Sequence, residues 1–300
     1  MCRKDYPEWP ILLGDVKLLA VVIVGCLVVW DGVSAQDPRF RTTAHTVAVY
    51  PLVSGADGRI VTDLAREDFS VLDNGQPAEV SVFSTDTQPV TAVLMLDMSA
   101  SMEDRTIRVR DAATGFVNAI AAADRLRIGS FGSEISLSPL LTGDKAVLSR
   151  ILREELWPGG ATPLWLALDA GMKSLANEPG RRTIVVVTDG IDTMSPIENA
   201  VAQRAVAGLF MVYAIGMEGK GLSTKLLDVI AQTGGGHFNL RRQDDLGAAF
   251  TRLAAELRHQ YLIGFTPSPM DGRLHTLEVR VNRPGLRVQA PKQFVSPVVK

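Results

Sequence analysis

Five oxygen-bearing side chains lie in three separated stretches of this chain. Asp97, Ser99 and Ser101 belong to Asp97-Met98-Ser99-Ala100-Ser101, Thr162 to Gly159-Gly160-Ala161-Thr162-Pro163, and Asp189 to Thr188-Asp189-Gly190. The set contains no thiol and no imidazole. Hard oxygen donors suit Mg²⁺, with Mn²⁺ or Ca²⁺ as alternatives, and do not suit Zn²⁺ or Cu²⁺. Mg²⁺ keeps several waters in its octahedron, so a few hydroxyls and carboxylates are enough to hold it. Two carboxylates brought together without a cation repel, and at least one tends to protonate; a divalent ion removes that cost. Each piece also has a plainer reading. Asp97 and Ser99 are favoured helix-capping residues, and Gly159-Gly160 is a common turn.

The elements around these residues decide whether they can meet. Val90–Leu96 is an uninterrupted apolar run, as expected for a strand buried on both faces. Helical periodicity follows over 103–122, with Ile107, Val109, Ala113, Phe116, Val117 and Ile120 apolar. Strands at 126–131 and 134–137 form a hairpin around Gly132, and helices follow at 145–156 and 163–175. A second buried strand at 183–187 precedes a helix at 196–207, a strand at 209–215, a helix at 223–232, a short strand at 237–240 and a helix at 244–259. This alternation predicts an α/β fold over residues 89–258, a doubly wound, mostly parallel, Rossmann-like sheet covered by helices. In such sheets ligands bind beyond the carboxyl ends of strands, where the strand order switches direction. Asp97 and Asp189 stand at two such ends, on strands expected to be neighbours.

Small β-rich extensions flank this region. In 36–88, after a polar linker at 36–42, the β-branched Thr46–Val53, then Ser70–Leu72 and Glu79–Phe83 on either side of Asp73-Asn74-Gly75-Gln76, predict strands and a hairpin. In 259–300, strands are expected at 261–265, 274–281 and 286–288, paired with the N-terminal module because neither piece buries much alone. The chain has 300 residues, 46% hydrophobic, with a formal net charge of −2, an ordinary globular balance that is neither disordered nor fibrous, with no acidic tail and no basic excess to suggest nucleic acid. Both cysteines, Cys2 and Cys26, are N-terminal, so the rest of the chain has neither disulfide nor CxxC metal site. Leu18–Trp30 is apolar, preceded by Lys17 and followed by Val33-Ser34-Ala35, the layout of a secretory signal peptide over 1–35. It is short for a membrane span, so membrane contact is expected only through this segment if it stays uncleaved. Ile23-Val24-Gly25-Cys26 loosely resembles a lipoprotein box, although the apolar run continues past Cys26. The expected location is therefore secreted, periplasmic or cell envelope.

DxSxS at 97–101, Thr162 in GGATPL and the TDG around Asp189, in this order and strand–loop context, resemble the metal-ion-dependent adhesion site of von Willebrand factor A domains. The resemblance covers roughly residues 88–258. The flanking EDFSVLDNGQPAEV and QYLIGFTP are similar to a bacterial group of exported proteins related to these domains. It implies that Ser99, Ser101 and Thr162 give oxygens to the metal, and that Asp97 and Asp189 act directly or through water. It further implies an open coordination position that takes an Asp or Glu carboxylate of a protein partner. Ligand binding in the family can be coupled to a shift of the last helix, here 244–259.

Other residues receive plainer readings. Asp192 is a helix cap or surface residue, with a role behind the metal ligands as the lesser reading, and Glu103 and Asp104 favour the positive end of the first helix, where they could also tune the site. His45, His237, His259 and His275 lack metal-ligand spacing, and Gly234-Gly235-Gly236 is a tight loop rather than a phosphate cradle. Trp157 and Trp165 flank the Thr162 loop and are read as packing residues, though either could line a binding face. A metal-dependent, non-catalytic binding module is the leading function. A metal-assisted hydrolase or phosphoryl-transfer enzyme is the alternative, weakened because position 99 is Ser where a second acid would serve. A structural module with a vestigial site is the third reading.

Overall fold

Thr91–Asp97 (β6) is the middle of a six-stranded sheet because its side chains are apolar on both faces. Ala92, Leu94 and Leu96 pack on one face with the helices Thr106–Ala119 (α1), Lys145–Glu154 (α2) and Leu246–Arg258 (α6). Val93 and Met95 pack on the other with Leu164–Ser174 (α3), Glu198–Ala207 (α4) and Thr224–Thr233 (α5). The remaining strands are Arg125–Phe131 (β7), Ile135–Leu137 (β8), Arg182–Thr188 (β9), Phe210–Gly216 (β10) and His237–Asn239 (β11), in the order β11-β10-β9-β6-β7-β8. Every pair is parallel except β7–β8, the expected hairpin. Thus β6 lies between β7 and β9, with Asp97 opposite Phe131 and Leu96 opposite Val187. From β6 the chain moves outward to β7 and then returns to build β9, β10 and β11 on the other side, so the switch point falls between β6 and β9.

This computed structural model describes residues 46–190, 192–194, 196–217, 221–241 and 245–298. The N-terminal apolar run, both cysteines, His45 and the 36–42 linker lie outside the described residues. Among the described residues, no helix is long and apolar enough to cross a membrane.

The two flanks share their strands. Val47–Val49 (β1) and Val80–Ser84 (β5) sandwich Leu262–Phe265 (β12), and Leu52–Ser54 (β2) pairs with Arg287–Gln289 (β14). Phe69–Asp73 (β3) lies between Gln76–Ala78 (β4) and Leu274–Val281 (β13), with Gln293–Val295 (β15) beyond β13. One core of Val47, Val49, Phe69, Val71, Tyr261, Ile263, Phe265, Leu277 and Phe294 serves both ends of the chain. Burial alternates along β3 and β13, the period-2 pattern of strands with one face inward.

Three local expectations are corrected. Thr46–Val53 is two strands rather than one, because Pro51 has no N–H to donate and the chain changes sheet there. The hairpin at Asn74-Gly75 joins β3 to β4, with both turn residues at positive φ as a two-residue turn demands. The strand expected at 79–83 therefore does not pair with 70–72 but joins β12 instead. The first helix of the α/β region begins as a 3-10 turn over Ala100–Arg105 before α1, because Met102 N–H closes onto Ser99 O at 2.9 Å.

The last helix is anchored. Buried Arg181 donates to Leu257 O at 2.6 Å, Gln260 Oε1 at 2.5 Å and Gln88 O at 3.0 Å. After α6 the chain enters β12, the central strand of its sheet, so an axial shift of this helix must move a strand hydrogen-bonded on both sides.

Candidate metal centre

The exit of β6 reverses direction within a few residues. Asp97 Oδ1 accepts the Ser99 N–H at 2.9 Å, and Met98 N–H bonds Phe131 O at 2.7 Å. Ser99 occupies the cap position of the following turn, yet its hydroxyl makes no capping bond and meets Ser101 Oγ at 3.2 Å. The simple capping reading of Ser99 therefore does not describe this loop.

From Ser101 the chain of contacts crosses to β9. Ser101 Oγ donates to Asp189 Oδ1 at 3.0 Å, and Thr188 Oγ1 donates to Asp97 Oδ2 at 2.6 Å. The parallel pairing of β6 and β9 makes this possible, since it places two strand ends side by side. The Thr162 loop closes the third side: Gly159 N–H bonds Met98 O at 2.7 Å and Ala100 N–H bonds Gly160 O at 3.1 Å. Gly160 has φ +84°, and a Cβ there would lie 2.4 Å from the Ser133 backbone, so the loop can come this close only with glycine. Thr162 is buried, and its backbone exchanges hydrogen bonds with Thr193, the N–H with Thr193 Oγ1 and the C=O with Thr193 N–H, each at 3.2 Å.

Asp97, Ser99, Ser101 and Asp189 thus form one hydrogen-bonded chain, and the Thr162 loop is tied to it through the backbone. Asp97 is fully buried, while Ser101 faces solvent. Three contributors, Thr188, Thr193 and Arg105, were not singled out from the sequence, whereas Asp192 was read there as a helix cap or surface residue. Thr188 bonds Asp97, and Thr193 bonds Thr162. Asp192 accepts the Trp165 N–H of the first turn of α3 and the Met194 N–H, both at 2.8 Å, so it caps a helix across from its own loop. Arg105 Nη1 reaches Ser101 O at 2.6 Å and Asp189 Oδ2 at 2.8 Å. Their only local signal was adjacency to the motif, because each contact spans either a loop or a strand pair. Of the two tryptophans, Trp165 packs in the core, but Trp157 is 77% exposed, which corrects its reading as a packing residue.

Electrostatics fit a cation. Burial pushes the Asp97 carboxyl above the usual carboxylate range, against the opposing hydrogen bonds from Ser99 and Thr188, and the Asp189 charge pushes the same way. The Arg105 guanidinium offsets one carboxylate and leaves the other uncompensated. Donors are all oxygen, and among the described residues no group of three or more His, Cys, Asp or Glu is placed to hold a metal, here or elsewhere, so hydroxyls would have to complete this set. The residues present suit a hard divalent ion and no thiophilic one.

The raised Asp97 value has a consequence for pH. A folded-state value above the unfolded one means that the folded chain holds more protons in between, so metal-free stability falls as pH rises through that window. Asp97→Asn removes this dependence. In EDTA, the melting temperature of the variant minus that of the parent is expected to rise as pH increases from about 4, the ordinary carboxylate value. A difference that stays flat across the range would contradict the burial argument.

Residues 92–191 match the family model for the von Willebrand factor type A domain. The comparison with curated proteins found no match. Among solved structures, a von Willebrand factor type A protein from Catenulispora acidiphila superposes with a TM-score of 0.52 at 14% identity, covering 83% of this chain and 74% of that one. The D319A mutant of the PilB minor pilin from Streptococcus sanguinis gives 0.50 at 15% identity, covering 59% and 63%. An aerotolerance-related membrane protein from Bacteroides fragilis gives 0.44 at 19% identity, covering 57% and 98%. At these identities the first two likenesses speak for the fold alone.

Proposed function

Because residues 92–191 of this chain are a von Willebrand factor type A domain, we propose that the protein is a non-catalytic, metal-dependent binding module that grips an acidic side chain of a partner protein. One observation carries the reading: the continuous contact from Asp97 through Ser99 and Ser101 to Asp189 at the junction of β6 and β9. Ser99, Ser101 and Thr162 would supply hydroxyl oxygens to Mg²⁺, with Mn²⁺ or Ca²⁺ as alternatives, and Asp97 and Asp189 would act directly or through water. When bound, the cation supplies a Lewis-acidic position for one further oxygen ligand. The chain's own residues orient that position. Thr188 holds Asp97, Ser101 and Arg105 hold Asp189, and the glycines before Thr162 are bonded to the exit of β6. The secretory layout of residues 1–35 supports an exported or envelope location for this activity.

Hydrolysis is the weaker reading. Among the described residues the two carboxylates bond hydroxyls, a backbone amide and one guanidinium, and none of these is an imidazole or amine that could activate a nucleophile. A Mg²⁺ titration in EDTA-treated protein tests both. The melting temperature is expected to rise saturably with Mg²⁺ and to return to the starting value with excess EDTA, with no metal-dependent release of p-nitrophenol from its phosphate ester. No thermal response to Mg²⁺, Mn²⁺ or Ca²⁺ would remove the metal reading, and turnover of the ester would favour the enzyme.

A further inference from the structure

Large apolar side chains that stay exposed are few among the described residues: Ile107, Leu140, Trp157, Leu166, Met194, Leu274 and Val298. Four of these seven lie on the loops and first helical turns that carry the candidate metal centre. Trp157, 77% exposed, stands two residues before Gly159, whose N–H is bonded to Met98 O. Met194, 61% exposed, hangs from Asp192, which also holds the first turn of α3, where Leu166 is exposed beside buried Trp165. Ile107, 72% exposed, follows Arg105, which is bonded to Asp189.

Single exposed apolar residues need no explanation, but their concentration in the segments that carry one polar centre does. The sequence had an inexpensive alternative at each place, since loop tips and outer helix faces ordinarily carry polar residues. Trp, Met and Arg are the types enriched in the cores of protein interfaces. An apolar surround excludes water from a central charged contact and so strengthens it. The charge at the centre is positive toward a ligand, from the Arg105 guanidinium and the cation proposed above.

We infer that the partner presents a single Asp or Glu flanked by large apolar or aromatic side chains, which settle against Trp157 and Met194 while the carboxylate enters the metal centre. The inference rests on the metal reading and extends it from a class of group to a class of segment. A highly acidic, polar segment would satisfy the centre but leave the surrounding side chains in water.

The test uses the full chain with Mg²⁺ and two dye-labelled peptides, acetyl-Gly-Phe-Asp-Leu-Gly-amide and acetyl-Gly-Gly-Asp-Gly-Gly-amide, read by fluorescence polarisation. The apolar-flanked peptide is expected to bind about tenfold or more tightly than the glycine-flanked one. The double variant Trp157→Ser, Met194→Ser is expected to bring the two within about twofold while keeping the Mg²⁺-induced thermal shift. Equal affinities in the parent, binding of neither peptide, or a ratio that survives the double variant would overturn the inference while the thermal shift is intact. A parent protein with no Mg²⁺ shift would instead sink the metal reading beneath it.

Discussion

Asp97→Asn is expected to abolish the Mg²⁺ response of this protein without unfolding it. Asp97 is fully buried and accepts from Ser99 N and Thr188 Oγ1. An amide keeps an acceptor for one donor and offers Thr188 a donor in exchange, so the loop retains its bonds. What is lost is the charge, which is the part of the donor set a cation needs. At a Mg²⁺ concentration near 100 times the dissociation constant, binding stabilises the parent by about 2.7 kcal/mol. For a domain of this size that corresponds to a rise of about 5–10 °C in melting temperature. The variant should show none of it in a thermal titration and no heat of binding in calorimetry. Arg105→Ala should move the other way. Its guanidinium competes for Asp189 at 2.8 Å, and removing a partly buried pair of this kind is expected to tighten Mg²⁺ by about fivefold, near 1 kcal/mol. A Mg²⁺ shift of parental size in Asp97→Asn would leave the five-residue set without its chemistry.

Asp73→Ala carries the largest expected loss of stability. Asp73 and His275 are each 2% exposed and meet at 2.6 Å between Oδ1 and Nδ1. Asp73 Oδ2 also accepts the Ser268 N–H at 3.0 Å, and His275 Nε2 meets Asp271 Oδ1 at 3.1 Å. These bonds tie the end of β3 to β13 and to the loop before it, so they join the two ends of the chain. Truncation leaves a buried imidazole nitrogen and a backbone amide without their acceptor and opens a cavity against Phe294, whose ring lies 5.3 Å from the imidazole. A loss of about 3–5 kcal/mol is expected, a large share of the total for an ordinary domain. Equilibrium denaturation in urea measures it. Asp73→Asn, which preserves the shape and one acceptor, should recover part of the midpoint. A midpoint for Asp73→Ala equal to that of the parent would mean that the clamp contributes nothing.

The α/β core was written in local signals. All-apolar strands alternating with helices leave few arrangements once right-handed crossovers and a switch point are required. The pairing of β6 with β9, and so the approach of Asp97 to Asp189, followed from that pattern. DxSxS, Thr162 and Asp189 could be read because each sits within a few residues of a strand end. Tertiary structure alone decided the rest. Pro51 and Asn74-Gly75 were visible, but which sheet each strand would join depended on partners about 200 residues away. Nothing near Arg105 announces Asp189, nothing near Asp192 announces the first turn of α3, and nothing near Asp73 announces His275. Trp157 and Trp165 flank one loop, and only the path of the chain exposes the first and buries the second. Periodicity reports which face of an element is apolar; it carries no information on which distant backbone or charge that face will meet. That is set by packing many elements at once, where a contact's cost or gain depends on everything around it.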